Sequence, residues 1–224
     1  MTDALRTAII LGELEEGRLY SAPTLAGLLG VSATPVREAM MDLDREGLVE
    51  TAKNKGFRVT RMTRDDLEEQ TQLRQLLEAP AMRAVAGLIP PEDLEELGRL
   101  ADTIAEAADQ GDLRTYLIQD REFHRHLVSY TGNQRLVDLT FRLRGQTRLR
   151  ALRELAESGR LIDSAREHHR LLEVLQASDG DGAFELTMRH IGHASRLWST
   201  GSETRAEQER PLVDLFPHSD GHVT

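Results

Sequence analysis

Leu25-Ala26-Gly27-Leu28-Leu29-Gly30-Val31-Ser32-Ala33-Thr34-Pro35-Val36-Arg37-Glu38-Ala39-Met40 is the stretch whose reading decides the fold. Leu25, Ala26, Leu28 and Leu29 predict a short helix that begins near Pro23 and ends at Gly30, a residue free to take the left-handed conformation that closes helices. After the turn Gly30-Val31-Ser32, Thr34 is suited to cap a second helix. Pro35 suits its first helical position, where a missing N–H leaves no bond unmade. Val36, Ala39, Met40 and Leu43 recur at helical spacing as a buried stripe, and Gly47 stops the run. The pair reads as a helix-turn-helix.

Upstream, Ile9, Ile10, Leu11 and Leu14 predict a further short helix closed at Glu16-Gly17. Downstream, Leu48-Val49-Glu50-Thr51 and Phe57-Arg58-Val59-Thr60 read as two strands around the turn Asn54-Lys55-Gly56. Residues 1–62 are therefore expected to form a winged helix-turn-helix of three helices plus a β-hairpin. From about Asp65 the strand signal vanishes. Helical periodicity runs from Leu67 to Leu88, Leu94 to Ala107, Leu113 to Val128, Leu136 to Leu155, Ile162 to Leu175 and Ala183 to Leu197. The breaks, such as Ile89-Pro90-Pro91 and Thr131-Gly132-Asn133, are as short as an antiparallel bundle requires. Pro80 should kink the first of these helices. The fold class expected is mainly α, with an all-α antiparallel bundle of about six helices over residues 65–199. Residues 200–224, polar and bearing Gly and Pro, are expected to be a disordered tail.

The chain has 224 residues, 39% hydrophobic and 29% charged, which suits an ordinary globular protein with two modest domains. No apolar run approaches the roughly 20 residues of a membrane helix. Met1-Thr-Asp-Ala-Leu-Arg lacks the layout of a signal peptide, so a cytoplasmic location is expected. The absence of cysteine excludes disulfides, thiolate nucleophiles and zinc fingers of the Cys type, leaving His and carboxylates as metal donors. The net charge of −10 is uneven. Residues 1–62 carry eight Lys/Arg against nine Asp/Glu, net −1, leaving 20 against 29, net −9, for the rest. DNA binding therefore has to rest on motif and local placement rather than on bulk charge.

In a helix-turn-helix the start of the second helix meets base edges, and hydroxyls and amides there hold phosphates. Ser32, Thr34 and Arg37 occupy that start, and Arg37 is suited to bond two guanine acceptors. Lys53, Asn54, Lys55 and Arg58 place positive charge on the hairpin, within reach of phosphate or the minor groove. The quoted stretch, with Leu43, Glu46-Gly47-Leu48-Val49 and Gly56-Phe57-Arg58-Val59, closely resembles the winged helix of GntR-family regulators. The resemblance implies an operator-binding domain that works as a homodimer on two-fold symmetric DNA. It departs at Ala33, where the family usually carries arginine, so one DNA contact is missing and operator preference is expected to differ. Glu16 stands where proline usually precedes the glycine.

Asp120 and His124 lie four apart on one predicted helix and so share a face. With His168 and His190 from later helices they make a His₃Asp set suited to a divalent metal with open positions. His169 and His193 are neighbouring alternatives. The region, with Leu73-Arg74-x-x-Leu77-Glu78, Thr131-Gly132-Asn133 and Glu167-His168-x-x-Leu171-Leu172, resembles the FCD effector domain of the FadR-like branch. That resemblance implies Asp120, His124, His168 and His190 as ligands of zinc, nickel or manganese. It also implies Arg74 and Asn133 as effector contacts, Arg74 pairing with a carboxylate. A surface salt bridge from Arg74 to Glu78 is the plain alternative. Arg144 and Arg148, also four apart, are further candidates for the pocket, but the run Phe141 to Arg150 has too many arginines to choose among and reads first as a solvated basic face.

Three functions fit these residues. One is a regulator, a repressor by family default, whose operator affinity responds to an organic acid. The second is a metal-dependent enzyme, for which Asp120-Arg121-Glu122 offers the nearest thing to a general base. The third is a metal sensor.

Overall fold

The computed structural model describes residues 1–146, 152 and 155–200. The expected tail from residue 201 onward, and Arg148, lie outside the described residues.

The N-terminal part is built from α1 (Thr2–Ile10), β1 (Leu19–Tyr20), α2 (Ala22–Leu29), α3 (Ala33–Arg45), β2 (Val49–Ala52) and β3 (Gly56–Val59). Ser21 caps α2, its hydroxyl accepting from the Thr24 N–H at 3.1 Å, and Gly30 closes it in the left-handed conformation at φ 66°. Leu5, Ile9, Leu25, Val36, Met40, Leu43, Leu48 and Val59 form the core beneath. The helix-turn-helix and hairpin are as expected, with four local corrections. The first helix starts at Thr2 and stops at Ile10, because Gly12 turns the chain at φ 74°. Ser32, not Thr34, holds the cap position of α3, so Pro35 is the third helical residue, still among those whose N–H has no partner within the helix. Leu28, 74% exposed, and Leu29 face outward, so the buried stripe of α2 is Ala22, Leu25 and Ala26. Finally, the hairpin is the major part of a three-stranded antiparallel sheet of order β1-β3-β2, in which Leu19 pairs with Arg58 and Tyr20 with Phe57.

The rest of the described chain is helical: α4 (Arg64–Val85), α5 (Pro91–Gln110), α6 (Leu113–Ser129), α7 (Gln134–Arg144), α8 (Leu161–Gln176) and α9 (Gly180–Thr200). Thr63 and Asp66 form a reciprocal capping box at the start of α4, which runs on through Pro80. Pro91 opens α5 and Gly111 closes it at φ 69°. α4 lies along α9, and α5 packs against both α6 and α8. Met82, Leu97, Ile104, Phe123, Leu127, Leu161 and Leu175 fill the space between them. The helix expected from Leu136 to Leu155 instead stops at Arg144. A Cβ at Gly145 would stand 3.1 Å from Arg6 Cδ and 3.3 Å from Arg121 Nη2. Next to it the Gln146 amide donates to the Glu46 carbonyl at the end of α3. A contact with the N-terminal part thus overrides the apolar period. Among the described residues no helix is long and apolar enough to cross a membrane.

α1 is shared by both halves: Leu5 and Ile9 belong to the N-terminal core, while Ile10 sits in the core of the bundle. Gln70 on α4 donates to Leu143 O at 2.8 Å and to Gln146 Oε1 at 2.9 Å, fixing the segment that meets Glu46.

Gly56 is the tightest point of the sheet. Its φ is 122°, and a Cβ there would lie 2.3 Å from Tyr20 O in β1. Gly56→Ala should therefore cost about 1–3 kcal/mol of stability from backbone strain alone, with further loss from displacing β1. Urea unfolding of the two proteins measures it; equal midpoints would show that β1 does not hold the wing.

Candidate DNA-reading face and metal centre

The outward face of α3 follows from its buried one. Val36, Ala39, Met40 and Leu43 point into the core, which leaves Thr34, Arg37, Glu38 and Met41 exposed along the opposite side. Ser32 is exposed at the helix start. Arg37, Lys53 and Lys55 are exposed and form no ion pair among the described residues, so their charges face solvent. Asn54, at φ 61°, makes the tip of the wing. Arg58 differs from the other sequence-predicted DNA contacts. Its Nη1 donates to Gly17 O at 2.8 Å and its Nε lies 3.3 Å from Glu50 Oε1, which commits it to the base of the wing.

In the bundle, Asp120, His124, His168 and His190 come together from α6, α8 and α9, with one donor atom from each within 4.8 Å of the others. His168 Nδ1 lies 2.9 Å from Ala165 O, and a carbonyl can only accept, so Nδ1 carries the proton. In the neutral ring the Nε2 lone pair then faces Asp120 Oδ1 at 3.1 Å and His124 Nε2 at 3.2 Å. His190 Nδ1 donates to Glu167 Oε2 at 3.0 Å, which turns its Nε2 to the cluster in the same way. Burial holds His124 well below its usual pKa and lowers His190 to about 4. Burial alone would raise the Asp120 carboxyl, but Arg144 and the histidines hold it well below the usual range. Ring nitrogens of three imidazoles and an ionised carboxylate thus converge on one point. A proton can bridge one such pair, whereas a divalent cation satisfies all four donors. The residues present fit such an ion.

The alternatives separate cleanly. His169 points away, its Nε2 3.2 Å from Asp102 Oδ1. His193 Nδ1 stands 3.8 Å from Glu167 Oε2, beside the cluster but outside it. Glu122 pairs with Arg125 at 3.0 Å on the exposed side of α6, so it offers no base to the centre.

Beside the metal-fitting cluster lies a cavity of ≈ 60 Å³ lined by residues that include Arg74, Tyr116, Asp120, Arg121, Arg144 and His190. Arg74 therefore does both things weighed for it: it faces the cavity, and its Nε donates to Glu78 Oε1 at 2.9 Å. Arg144 corrects the reading of a solvated face. Only 4% exposed, it donates through Nε to Glu78 Oε2 at 2.8 Å and through Nη1 to Asp120 Oδ2 at 3.0 Å. Asn133 stands apart from the cavity; exposed, it accepts from Leu136 N at 3.2 Å and caps α7. Glu167 was not singled out as a functional residue in the sequence. It takes His190, Arg189 and the neighbourhood of His193 onto one carboxylate, and these partners outweigh its burial and lower its pKa to about 2. A larger cleft of ≈ 400 Å³ opens between the wing base, α4 and α7, with no histidine in its lining.

A winged helix fused to a helical bundle with a His₃Asp cluster defines a class of bacterial transcription regulator. The model of the bacterial regulatory proteins of the gntR family matches residues 1–59, and that of the FCD domain matches residues 69–193. The chain belongs to the GntR family, in the branch that carries an FCD domain. It is similar to a protein named a probable D-xylose utilization operon transcriptional repressor in Paenarthrobacter nicotinovorans, 31% identical over 188 residues, covering 81% of this chain and 82% of that one. It is also 28% identical over 180 residues to the HTH-type transcriptional regulator McbR of Escherichia coli, covering 80% and 81%. The solved structure of E. coli McbR/YncC superposes with a TM-score of 0.78, at 24% identity, over 90% of this chain and 96% of that one. The chain is a transcriptional regulator of the GntR/FCD type and not an enzyme.

The cluster also sets a pH dependence for the metal-free protein. His190 is neutral in the fold down to about pH 4, while the unfolded imidazole protonates near 6.5, and His124 is depressed in the same direction. The unfolded chain binds more protons in this window, so stability present above pH 6.5 is lost as pH falls towards 4. Asp120 and Glu167, also depressed, add loss of the same sign below that. Denaturant unfolding of chelator-treated protein between pH 8 and 4.5 should show stability falling by about 1.4 kcal/mol per pH unit for each extra proton. A flat profile would mean that these imidazoles are solvated.

Proposed function

We propose that the chain is a cytoplasmic, homodimeric repressor whose grip on a two-fold operator is controlled by a small organic acid held in the bundle cavity through a divalent metal ion. Residues 1–62 read the DNA and residues 65–199 bind the effector. The observation that carries the reading is the convergence of Asp120 Oδ1 and three imidazoles beside an arginine-lined cavity, in a chain whose N-terminal part is a winged helix. Asp120, His124, His168 and His190 hold the ion, of the zinc, nickel or manganese kind. When bound, the ion supplies a Lewis-acid anchor for an effector carboxylate. Arg74 and Tyr116 line the same cavity. Glu167 and the Ala165 carbonyl fix the ring orientation of His190 and His168. Ser32, Thr34 and Arg37 contact the major groove, and Lys53, Asn54 and Lys55 bring the wing to the backbone. The repressor sense is supported by relatives named repressors.

The test joins elemental analysis to operator binding. Purified protein should carry about one divalent ion per chain, and His124→Ala or His168→Ala should remove most of it. A chelator should abolish the response of operator affinity to organic acids while helical content survives. Operator binding that follows the metal and ignores every acid would make the ion itself the signal. Metal-free protein from metal-replete cells that still responds to an acid would sink the metal-held effector.

At the DNA, Arg37→Ala should weaken specific operator binding by roughly 1–3 kcal/mol through loss of a base contact. Lys55→Ala should weaken specific and non-specific DNA alike and lower the salt slope by about one. Footprinting and a salt titration read the two effects; an unchanged footprint for the first, or an unchanged slope for the second, counts against the assigned face.

A further inference from the structure

Arg121 follows Asp120 on α6 and is only 8% exposed. Among the described residues its guanidinium has no hydrogen bond and no ion pair, and its Nε and Nη2 are both buried and unsatisfied. It stacks on Phe141, whose ring centroid lies 4.1 Å from Cζ. The other two arginines of the cavity are matched: Arg74 by Glu78, and Arg144 by Glu78 and Asp120. Arg121 has the charge of Arg6 beside it, and the carboxylates of Asp3, Glu122 and Glu46 act on it without a hydrogen bond. It and Arg6 of α1 approach the same side of Gly145, Nη2 of one and Cδ of the other lying 3.3 and 3.1 Å from where a Gly145 side chain would begin. Burial first, and then the charge of Arg6, disfavour the charged form of Arg121, against the smaller pull of Asp3, Glu122 and Glu46.

The unsatisfied edge has a particular shape. Nε–H and Nη2–H of a guanidinium point the same way and together clamp two oxygens of one anion. Arg6 shows that use in this chain, with Nε and Nη2 on the two oxygens of Glu46 at 3.0 and 2.7 Å. Arg121 is also one of the residues lining the cavity that reaches Asp120 and His190.

We propose that Arg121 is the receptor for a second anionic group of the effector, so that the effector is a small dianion with one end at the Asp120 and histidine cluster and the other on the Nε/Nη2 edge of Arg121. This rests on the effector reading above and narrows it from an organic acid to a dicarboxylate or a phosphorylated acid. It also supplies a relay. The arriving anion neutralises the charge that presses on Arg6, and Arg6 clamps Glu46 at the end of the reading helix α3.

The experiment is thermal unfolding and operator anisotropy of the full metal-loaded chain, wild type beside Arg121→Met and Arg121→Lys. The probes are succinate, glutarate and inorganic phosphate, with propionate as the monoanion. Without a probe, Arg121→Met is expected to melt at or above the wild type, because it removes an unpaired charge and keeps an apolar stem beside Phe141. At least one dianion should stabilise the wild type saturably, bind tenfold or more weakly to Arg121→Met, and fall between for Arg121→Lys, which keeps the charge without the fork. Propionate should act equally on all three. A dianion that stabilises the wild type through Arg121 and leaves operator affinity unchanged upholds this site and overturns the effector reading. A dianion that shifts operator affinity equally in wild type and Arg121→Met upholds the effector reading and overturns this site. Dianions that bind wild type no better than Arg121→Met overturn it outright, as does a Met variant that melts far lower yet responds as wild type.

Discussion

Asp120 can aim one oxygen at the imidazoles because Arg144 holds the other. That ion pair is the end of a buried chain, Arg74 to Glu78 to Arg144 to Asp120, in which two cations and two carboxylates cancel and every link is a hydrogen bond. Ionised groups this deep are tolerated only in such matched sets, and removing one member strands its partner. The chain crosses α4, α6 and α7, so it ties the packing of three helices to the direction of one carboxylate. With no side-chain freedom left to Asp120, the positions of His124, His168 and His190 define a fixed point of negative and lone-pair character. A divalent ion bound there meets a set of donors already oriented, and spends little of its affinity on ordering them.

Charge balance also accounts for where control can enter. The four-membered chain is neutral by itself, Glu167 is matched in charge by Arg189 and hydrogen-bonded by His190, and Arg6 is matched by Glu46 and Asp3. Arg121 sits among these closed pairs with its own edge unmatched. On the proposed reading, effector chemistry completes the last pair, and the completion is felt at α1 because only a glycine separates the two arginines there.

Much of this was legible in the sequence because it is local. The apolar stripe of α3, the left-handed Gly30 and the hairpin turn depend on residues a few places apart, and the four-residue spacing of Asp120 and His124 already put both on one face. What escaped is what only the fold decides. β1 is two residues long and exists because Gly56 lets Tyr20 approach, a contact 36 residues away in sequence. The end of α7 is set by Arg6 and Glu46, not by the run of arginines that surrounds it. Arg144 looked solvated because arginines are usually solvated, and its carboxylate partners lie on two other helices. Asn133 belongs to a family signature, yet its carboxamide is occupied with capping α7. Glu167 was visible as part of a motif, but its grip on His190 required knowing how α8 and α9 align.

α1 contributes to two hydrophobic cores at once, Ile9 to one and Ile10 to the other. Adjacent residues of one helix cannot move independently, so no shift of the bundle around Ile10 leaves the winged helix untouched, and none of the winged helix leaves the bundle untouched. Thermodynamic reciprocity then applies to the proposed pair of ligands: whatever factor an effector applies to operator affinity, the operator must apply to effector affinity. A copy seated on DNA and a copy free in solution would sense the same metabolite at different thresholds, with the genome itself setting the difference.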